Sequence, residues 1–377
     1  MQKADERLAS LDVLRGFDML FIMGLSILVI ACCSALGVPE CWVARQMTHP
    51  DWLGLRFFDS IFPLFIFIAG VTFPFSMAKS IAKGRTRFQI CLTVLRRGVV
   101  LFLLGMVYAR YFAGAPFRFG TVLGRIGIAW TGAALLTVVL GVRVRVAFAL
   151  LVLAGYWLLN LTCVAPDNPT ADIWTPQGNI VCWFDRAFIA RFSRLVPGTD
   201  ALPFDNQTAL SNAMAVVTAL LGVFTGEFVR RTAGRVPDGR RVAVLFSAAV
   251  VLLAGGLVVA FGCGRWSFPV SKVLWSPSFT LIVGAYSVSM FALFHWFIDV
   301  KRWWRKTLFF KVIGMNSIAI YLGQPLLGLG NANKMLFGRM GDIFSAPWND
   351  VVSQLTYIGV CWGVLYFLYR KNVFFKI

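Results

Sequence analysis

Ten long apolar stretches alternate with short polar segments along the chain. Runs of about 18 or more apolar residues are typical of helices that cross a bilayer. The pattern therefore predicts an all-α, polytopic membrane protein. The predicted spans are 17–36, 58–78, 98–112, 121–141, 146–163, 209–229, 242–262, 278–298, 308–327 and 351–369.

The composition supports this prediction. Hydrophobic residues make up 58% of the 377 residues and charged residues 14%, whereas a soluble chain carries about 25% charged residues. So little polar surface excludes the two or three soluble domains that the length alone would allow. We therefore treat 1–377 as a single membrane domain whose surroundings are the lipid bilayer.

The strong positive charge follows from the topology. A net charge of +19 would indicate nucleic acid in a soluble protein. Here the three longest basic clusters, over 79–97, 230–241 and 301–311, all fall on the side of the N-terminus. The positive-inside rule then places both termini in the cytoplasm, as an even number of spans also requires. No nucleic-acid partner is expected.

The longest outer loop, 164–207, is rich in proline, asparagine and aspartate. These residues predict turns rather than a packed domain. Four cysteines lie near the outer face, where one disulfide is plausible although the sequence assigns no pair. They are Cys41, Cys163, Cys182 and Cys263. No cysteine and histidine spacing resembles a zinc site, so no metal is expected.

Charged side chains near the first span are the first candidates for function, because an ionisable group at the bilayer centre costs at least ~2.5–3.5 kcal/mol. Asp12, Arg15 and Asp18 are spaced three apart, so a helix places them on one face. They either anchor the helix at the headgroups, or Arg15 binds an anionic ligand that enters from the cytoplasm.

His49 and Asp59 lie just before and at the start of the second span. A structural interpretation makes Asp59 a helix N-cap and His49 a solvated loop residue. Against it, the chain has two histidines in all, and this one is ten positions from a carboxylate that can orient its ring. An imidazole titrates near neutral pH and can take a proton or an acyl group.

Arg125 lies in the outer half of the fourth span, beside glycines at 120, 124 and 127. These glycines leave room next to the helix. We therefore expect Arg125 to face inward, either as the counter-charge of Asp59 or as a phosphate ligand.

The ninth span carries amides at Asn316 and Gln324, beside Ser317 and Tyr321. Single amides often join helices in lipid, but this number of polar groups favours a site. Pro325 is expected to kink or end this span. The second histidine, His295, precedes Asp299 by four positions, which predicts a local pair rather than catalysis.

Four of these segments, in this order, resemble the heparan-α-glucosaminide N-acetyltransferase family and its bacterial membrane relatives. They read SLDVLRG over 10–16, THPDWLG over 48–54, FPLFIFIAG over 62–70 and GMNSI over 314–318. Each motif alone is weak, whereas the combination is specific. The chain departs from the bacterial pattern at 205–207, where Asp-Asn-Gln replaces a Pro-Glu-Gly run, and this departure concerns the acceptor.

The resemblance implies a transmembrane acetyltransferase of the bacterial inner membrane. Acetyl-CoA would be held from the cytoplasmic side, and its acetyl group would pass to an amino sugar or glycan on the periplasmic side. The family's catalytic histidine falls on His49 and its aspartate on Asp59. We assign Arg15, Arg125, Asn316 and Ser317 to coenzyme A, and Asp51, Trp52 and Gln324 to the acceptor.

Several alternatives stay open at the level of sequence. His49 either accepts the acetyl group or deprotonates the incoming amine. A secondary transporter of an amino sugar or related solute would also carry polar residues inside its bundle, although paired broken helices in two repeated halves are not evident. A third alternative is a non-catalytic membrane partner or assembly protein. A homodimer is compatible with the sequence.

Overall fold

The computed structural model describes residues 8–112, 118–193, 205–304, 306–341 and 343–375. These residues form helices and no extended β-strand, and an isolated β-bridge joins Val164 to Asn179. Within them, nine continuous helices are long and apolar enough to cross a membrane. The prediction of an all-α, polytopic membrane protein is therefore confirmed.

We number the main helices in chain order. They are α1 (Ala9–Ala35), α2 (Phe57–Ala82), α3 (Arg87–Tyr111), α4 (Val122–Val139), α5 (Val142–Thr162), α6 (Asn212–Thr232), α7 (Asp238–Gly262), α8 (Pro277–Val300), α9 (Leu308–Met315), α10 (Ser317–Leu326), α11 (Leu329–Gly341) and α12 (Ala346–Arg370). Two short helices, Trp42–Gln46 and Ile180–Phe184, lie between spans.

The predicted ninth span, 308–327, is not one continuous helix. It is divided into α9 and α10 at Asn316, whose φ of −127° and ψ of 34° are not helical. The Asn316 side chain donates to the Val373 carbonyl at 3.0 Å and accepts from the Phe375 amide at 3.1 Å. The break therefore holds the segment that follows α12 against the junction of α9 and α10. Pro325 lies close to the end of α10, as predicted.

The spans divide into inner and outer helices. More than half of the apolar window is buried in α1, α2, α4, α6 and α8, but less than a third in α3, α5, α7 and α12. The outer helices expose large side chains such as Leu151 and Val251, as expected for surfaces that face lipid. Asp18, Asp59 and Arg125, three of the polar residues singled out in the sequence, belong to inner helices and are buried.

Small residues bring the inner helices into backbone contact. A Cβ added at Gly222 of α6 would overlap the Phe67 carbonyl of α2, and one at Gly70 of α2 would overlap the Ala219 carbonyl. Gly16 of α1 and Gly314 of α9 are equally close to the backbone of the opposite helix. Such contacts are the usual means of helix association in lipid, where burial of apolar surface gives little driving force.

The described part of loop 164–207 contains more structure than turns. After the bridge at Val164, Ile180–Phe184 forms a helical turn that buries Val181 and Cys182. Residues 194–204 of the loop lie outside the described residues. All eight cysteines are described and are free thiols, so the structure contains no disulfide among Cys41, Cys163, Cys182 and Cys263.

Candidate active site

His49, Asp59 and Lys272 meet at one end of the bundle. His49 Nδ1 is 2.6 Å from Asp59 Oδ1, and Lys272 Nζ is 3.4 Å from the same oxygen. The Asp59 side chain is fully buried, whereas that of His49 is 48% exposed. The predicted pairing of His49 with Asp59 is therefore present. Because Nδ1 is engaged, Nε2 is the ring nitrogen left for chemistry.

Local backbone structure fixes Asp59. It lies in a 3₁₀ turn, Phe57–Ser60, at the start of α2, and its Oδ2 accepts from the Arg56 amide at 2.9 Å. This bond caps the turn, so the structural role expected for Asp59 exists together with its contact to His49. The Arg56 guanidinium donates to the His49 carbonyl at 3.0 Å and to Thr48 Oγ1. The histidine loop and the α2 turn are thereby joined.

The loop between α7 and α8 brings Lys272 to this pair. Ser271 Oγ donates to the Trp52 carbonyl at 2.9 Å, and the Gly54 amide donates to the Val270 carbonyl at 2.7 Å. Burial lowers the pKa of Lys272, and the charge of Asp59 opposes that shift. The two residues that precede Lys272 in the chain therefore hold it beside the carboxylate of Asp59.

A chamber of about 380 Å³ opens beside these three residues. Of the sequence-predicted residues, Asp51, Trp52 and Arg125 line it together with His49 and Asp59. Asn206 and Gln207 also line it, which places two positions of the departure at 205–207 on its wall. The next residue back, Asp205, accepts from the Gly120 and Gln207 amides, and burial raises its pKa.

A second cavity, of about 360 Å³, lies at the other end of the bundle. Arg15 and Arg97 line it, with Ser317 at the start of α10 and with Phe374 and Phe375 after α12. The Arg97 guanidinium lies 4.6 Å from the centre of the Trp130 ring, and in the described part of the chain no carboxylate pairs with it. Two guanidinium groups around one cavity form a suitable site for phosphate groups.

A narrow space of about 30 Å³ lies between the two cavities. Its lining includes Phe62 and Tyr321, which also line the His49 chamber, and Phe65 and Ser317, which also line the Arg15 cavity. We call this space the neck. Chamber, neck and cavity therefore follow one another through the bundle.

The structure does not bring together all of the residues assigned to coenzyme A. Arg15 and Ser317 share one cavity, but Arg125 lies at the opposite end and does not share it. Asn316 binds the segment after α12. Gln324, assigned to the acceptor, accepts from Tyr357 Oη at 2.9 Å and lines none of the three spaces described above.

Arg125 is not the ion-pair partner of Asp59. Its guanidinium donates to Ser211 Oγ at 2.7 Å and lies over the Trp275 ring, while Lys272 provides the cation at Asp59. The nearby glycines do not leave open space either, since a Cβ at Gly127 would lie 2.9 Å from the Gly98 carbonyl oxygen. Gly124 and Gly127 permit α3 and α4 to pack closely.

Of the three charged residues expected to form one group on α1, Asp12 and Arg15 form an ion pair and Asp18 does not join them. Arg15 lies 3.8 Å from Asp12, but Asp18 is fully buried and neither carboxylate oxygen has a hydrogen-bond partner among the described residues. The prediction for the second histidine is confirmed, because His295 Nδ1 is 2.9 Å from Asp299 Oδ2.

Sequence reasoning missed Lys272 and Arg97. Lys272 lies 223 residues from His49 along the chain, so no local spacing relates them. Arg97 belongs to the basic cluster over 79–97, and the positive-inside rule explained that cluster without giving Arg97 a role in binding. A signal was available for Arg97, because it directly precedes the predicted span 98–112 and so lies at the edge of an apolar stretch.

Comparison with known proteins agrees with the motifs. No family model matches the chain. Heparan-alpha-glucosaminide N-acetyltransferase of Homo sapiens is 24% identical over 420 aligned positions, covering 98% of this chain, and that of Mus musculus is 22% identical over 418. The resemblance to this family is therefore confirmed. The chain spans about 60% of the length of these two relatives, and the alignment with each includes nearly all of the present bundle.

Proposed function

We propose that this protein is a transmembrane acetyltransferase that uses acetyl-CoA as donor. The observation that carries the proposal is the row of cavity, neck and chamber, which leads from Arg15 and Arg97 to His49. A coenzyme A thioester is polyanionic at one end and reactive at the other, with a long, thin arm between them. The two arginines suit its phosphates, and the neck suits its arm.

The acceptor in this proposal is an amine of an amino sugar or glycan. It would enter the chamber where Asp51 and Trp52 form part of the wall and where His49 is half exposed. The names of the two relatives support an N-acetyl transfer to a glucosaminide. By the charge pattern of the loops, the chamber faces the periplasm of a bacterial inner membrane and the arginines face the cytoplasm.

His49 is the residue that takes the proton or the acetyl group. Its Nδ1 is bound to Asp59, which fixes the ring and its tautomer, so that Nε2 is free to act. In direct transfer, Nε2 removes a proton from the amine while the amine attacks the thioester. In covalent transfer, Nε2 attacks the thioester first. Both routes need the same position of the imidazole.

The test separates donor and acceptor by a membrane. Purified protein is reconstituted in sealed vesicles with acetyl-CoA inside and glucosamine outside, and labelled product is measured outside. We expect product with the wild type and a loss of at least about 100-fold for His49→Ala, because general acid–base catalysis contributes about that much or more. His295→Gln is the matched control, since it changes the other His–Asp pair.

Three outcomes would contradict the proposal. Undiminished transfer by His49→Ala would remove the histidine from the mechanism. Uptake of glucosamine without any thioester would support the alternative of a secondary transporter. If neither coenzyme A nor glucosamine changes the thermal midpoint and no product forms, a non-catalytic membrane protein is the better description.

A further inference from the structure

Lys272 lies against the reactive face of the site. Its Nζ is 3.3 Å from His49 Nδ1 and 3.4 Å from His49 Nε2. Two nearly equal distances to nitrogens on either side of one ring carbon place the ammonium over the ring rather than in line with either lone pair. Lys272 is therefore not the group that fixes the imidazole, a task that Asp59 performs at 2.6 Å.

The ammonium has more donors than Asp59 uses. A lysine carries three N–H donors, and the contact to Asp59 Oδ1 engages one of them at 3.4 Å. Lys272 also lines the chamber. Any atom bonded to His49 Nε2, or in hydrogen-bond contact with it, therefore lies within reach of this ammonium.

We propose that Lys272 is a catalytic residue whose ammonium stabilises the oxyanion formed on the thioester carbonyl. This inference rests on the proposed function and adds an electrostatic group to it. Donors aimed at a developing oxyanion are often the largest single contribution to acyl transfer. The Asp59 carboxylate, on the other side of the ammonium, keeps the cation in place when no substrate is bound.

In the direct route, the amine attacks the thioester and His49 carries one proton from the amine to the thiolate. The amine nitrogen forms a bond to the carbonyl carbon, the π electrons of the C=O bond move to oxygen, and the amine proton passes to His49 Nε2. When the oxyanion collapses, the C–S bond breaks and the thiolate takes that proton from Nε2. Lys272 donates a hydrogen bond throughout and transfers no proton.

The covalent route passes through an oxyanion at the same carbonyl. His49 Nε2 forms the bond to carbon, the C–S bond breaks, and the thiolate takes a proton from solvent. The amine then displaces the imidazole and releases its proton to solvent. The proposed role of Lys272 is therefore independent of the choice between the two routes.

The charges around Lys272 determine when it is an ammonium. Asp59 and His49 contact it, and the other titratable or charged groups that line the chamber are Asp51, Arg118, Arg125 and Tyr321. Burial and the charge of Arg125 lower the pKa of Lys272, while Asp59 raises it. The net lowering means that the ammonium is lost at a lower pH than that of an exposed lysine.

The experiment compares Lys272→Met and Lys272→Arg with the wild type in the transfer assay. We expect Lys272→Met to lower kcat about 100- to 1,000-fold, the usual effect of removing one oxyanion donor, with KM for acetyl-CoA changed less than threefold. Lys272→Arg should retain more activity. It should also move the alkaline loss of activity to higher pH, because a guanidinium stays charged there.

The possible results of this experiment distinguish the role of Lys272 from the proposed function. Lys272→Met with wild-type kcat overturns the inference while leaving the proposed function intact. If that variant does not fold, the pH profile of Lys272→Arg decides, and an alkaline limb identical to that of the wild type overturns the inference. Absence of transfer by the folded wild type would instead contradict the proposed function itself.

Discussion

The carboxylate of Asp59 serves three donors at once. Oδ1 contacts His49 Nδ1 and Lys272 Nζ, and Oδ2 accepts from the Arg56 amide. Capping of the α2 turn and orientation of the imidazole are therefore properties of one side chain. An aspartate suits this position because both of its oxygens only accept when it is ionised.

Replacing Asp59 by asparagine tests the orientation of the imidazole. The amide has nearly the same shape, but it offers one accepting oxygen, lacks the charge that holds Lys272, and permits the wrong histidine tautomer. We expect kcat to fall by about 100- to 10,000-fold, with binding of acetyl-CoA little changed. Steady-state kinetics and isothermal titration with acetyl-CoA measure the two quantities.

Asp167→Asn is the matched control for this prediction. It changes another loop aspartate that holds a basic side chain, in an ion pair with Arg186 that does not line the chamber. Turnover by Asp59→Asn within threefold of the wild type would show that the histidine needs no carboxylate partner.

At the residue scale, the sequence predicted the groups that are rare or close together. His49 was identified by its scarcity, and Asp59 by its distance of ten residues. Lys272 was not predictable in this way, because the fold brings it from a distant loop to the pair. Arg125 itself was singled out in the sequence, but its partners Thr208 and Ser211 were not predictable, because they lie 83 and 86 residues away.

At the scale of helices, the apolar pattern predicted where the spans lie but not whether each span is one continuous helix. Hydropathy counts side chains, so it treats 308–327 as one span. The break at Asn316 depends on backbone bonds that its amide makes to the segment after α12. Such bonds join parts of the chain that no local window contains.

The contact between α2 and α6 gives a prediction about stability. In Gly222→Val, the new side chain would overlap the Phe67 carbonyl and separate the two helices. Overpacking of this kind typically costs about 1–3 kcal/mol. We therefore expect a lower thermal midpoint in detergent and a lower yield of monodisperse protein.

Gly155→Val provides the matched comparison, since a Cβ at that position of α5 would contact no other helix in the described part of the chain. It makes the same chemical change in a peripheral helix. Equal thermal midpoints for the two variants would mean that the close approach of α2 and α6 is not important for stability.

At the scale of the whole molecule, substitutions of the arginines at the two ends of the bundle are expected to change different kinetic constants. Arg97 lines the cavity assigned to the phosphates, so Arg97→Gln should raise the KM for acetyl-CoA about tenfold, the equivalent of about 1.4 kcal/mol. The effect on kcat should be smaller, because the chemistry occurs in the chamber. Initial rates at varied acetyl-CoA measure both.

Arg96→Gln is the control for this prediction, because Arg96 is the adjacent arginine on α3, is exposed like Arg97, and does not line the cavity. If both variants bind acetyl-CoA like the wild type, the phosphates are held elsewhere. Arg125→Gln should change the KM for the acceptor or kcat rather than the KM for acetyl-CoA, since Arg125 lies at the other end of the bundle.

The neck also has a consequence for the energy balance of the cell. An enzyme with cavities at both surfaces would be a leak for protons and metal ions if water filled the space between them. The surface of the neck is formed by apolar atoms and its volume is about 30 Å³, and narrow apolar constrictions resist wetting. The neck therefore opposes the passage of protons and ions through the bundle, and the bilayer can keep its electrochemical gradient.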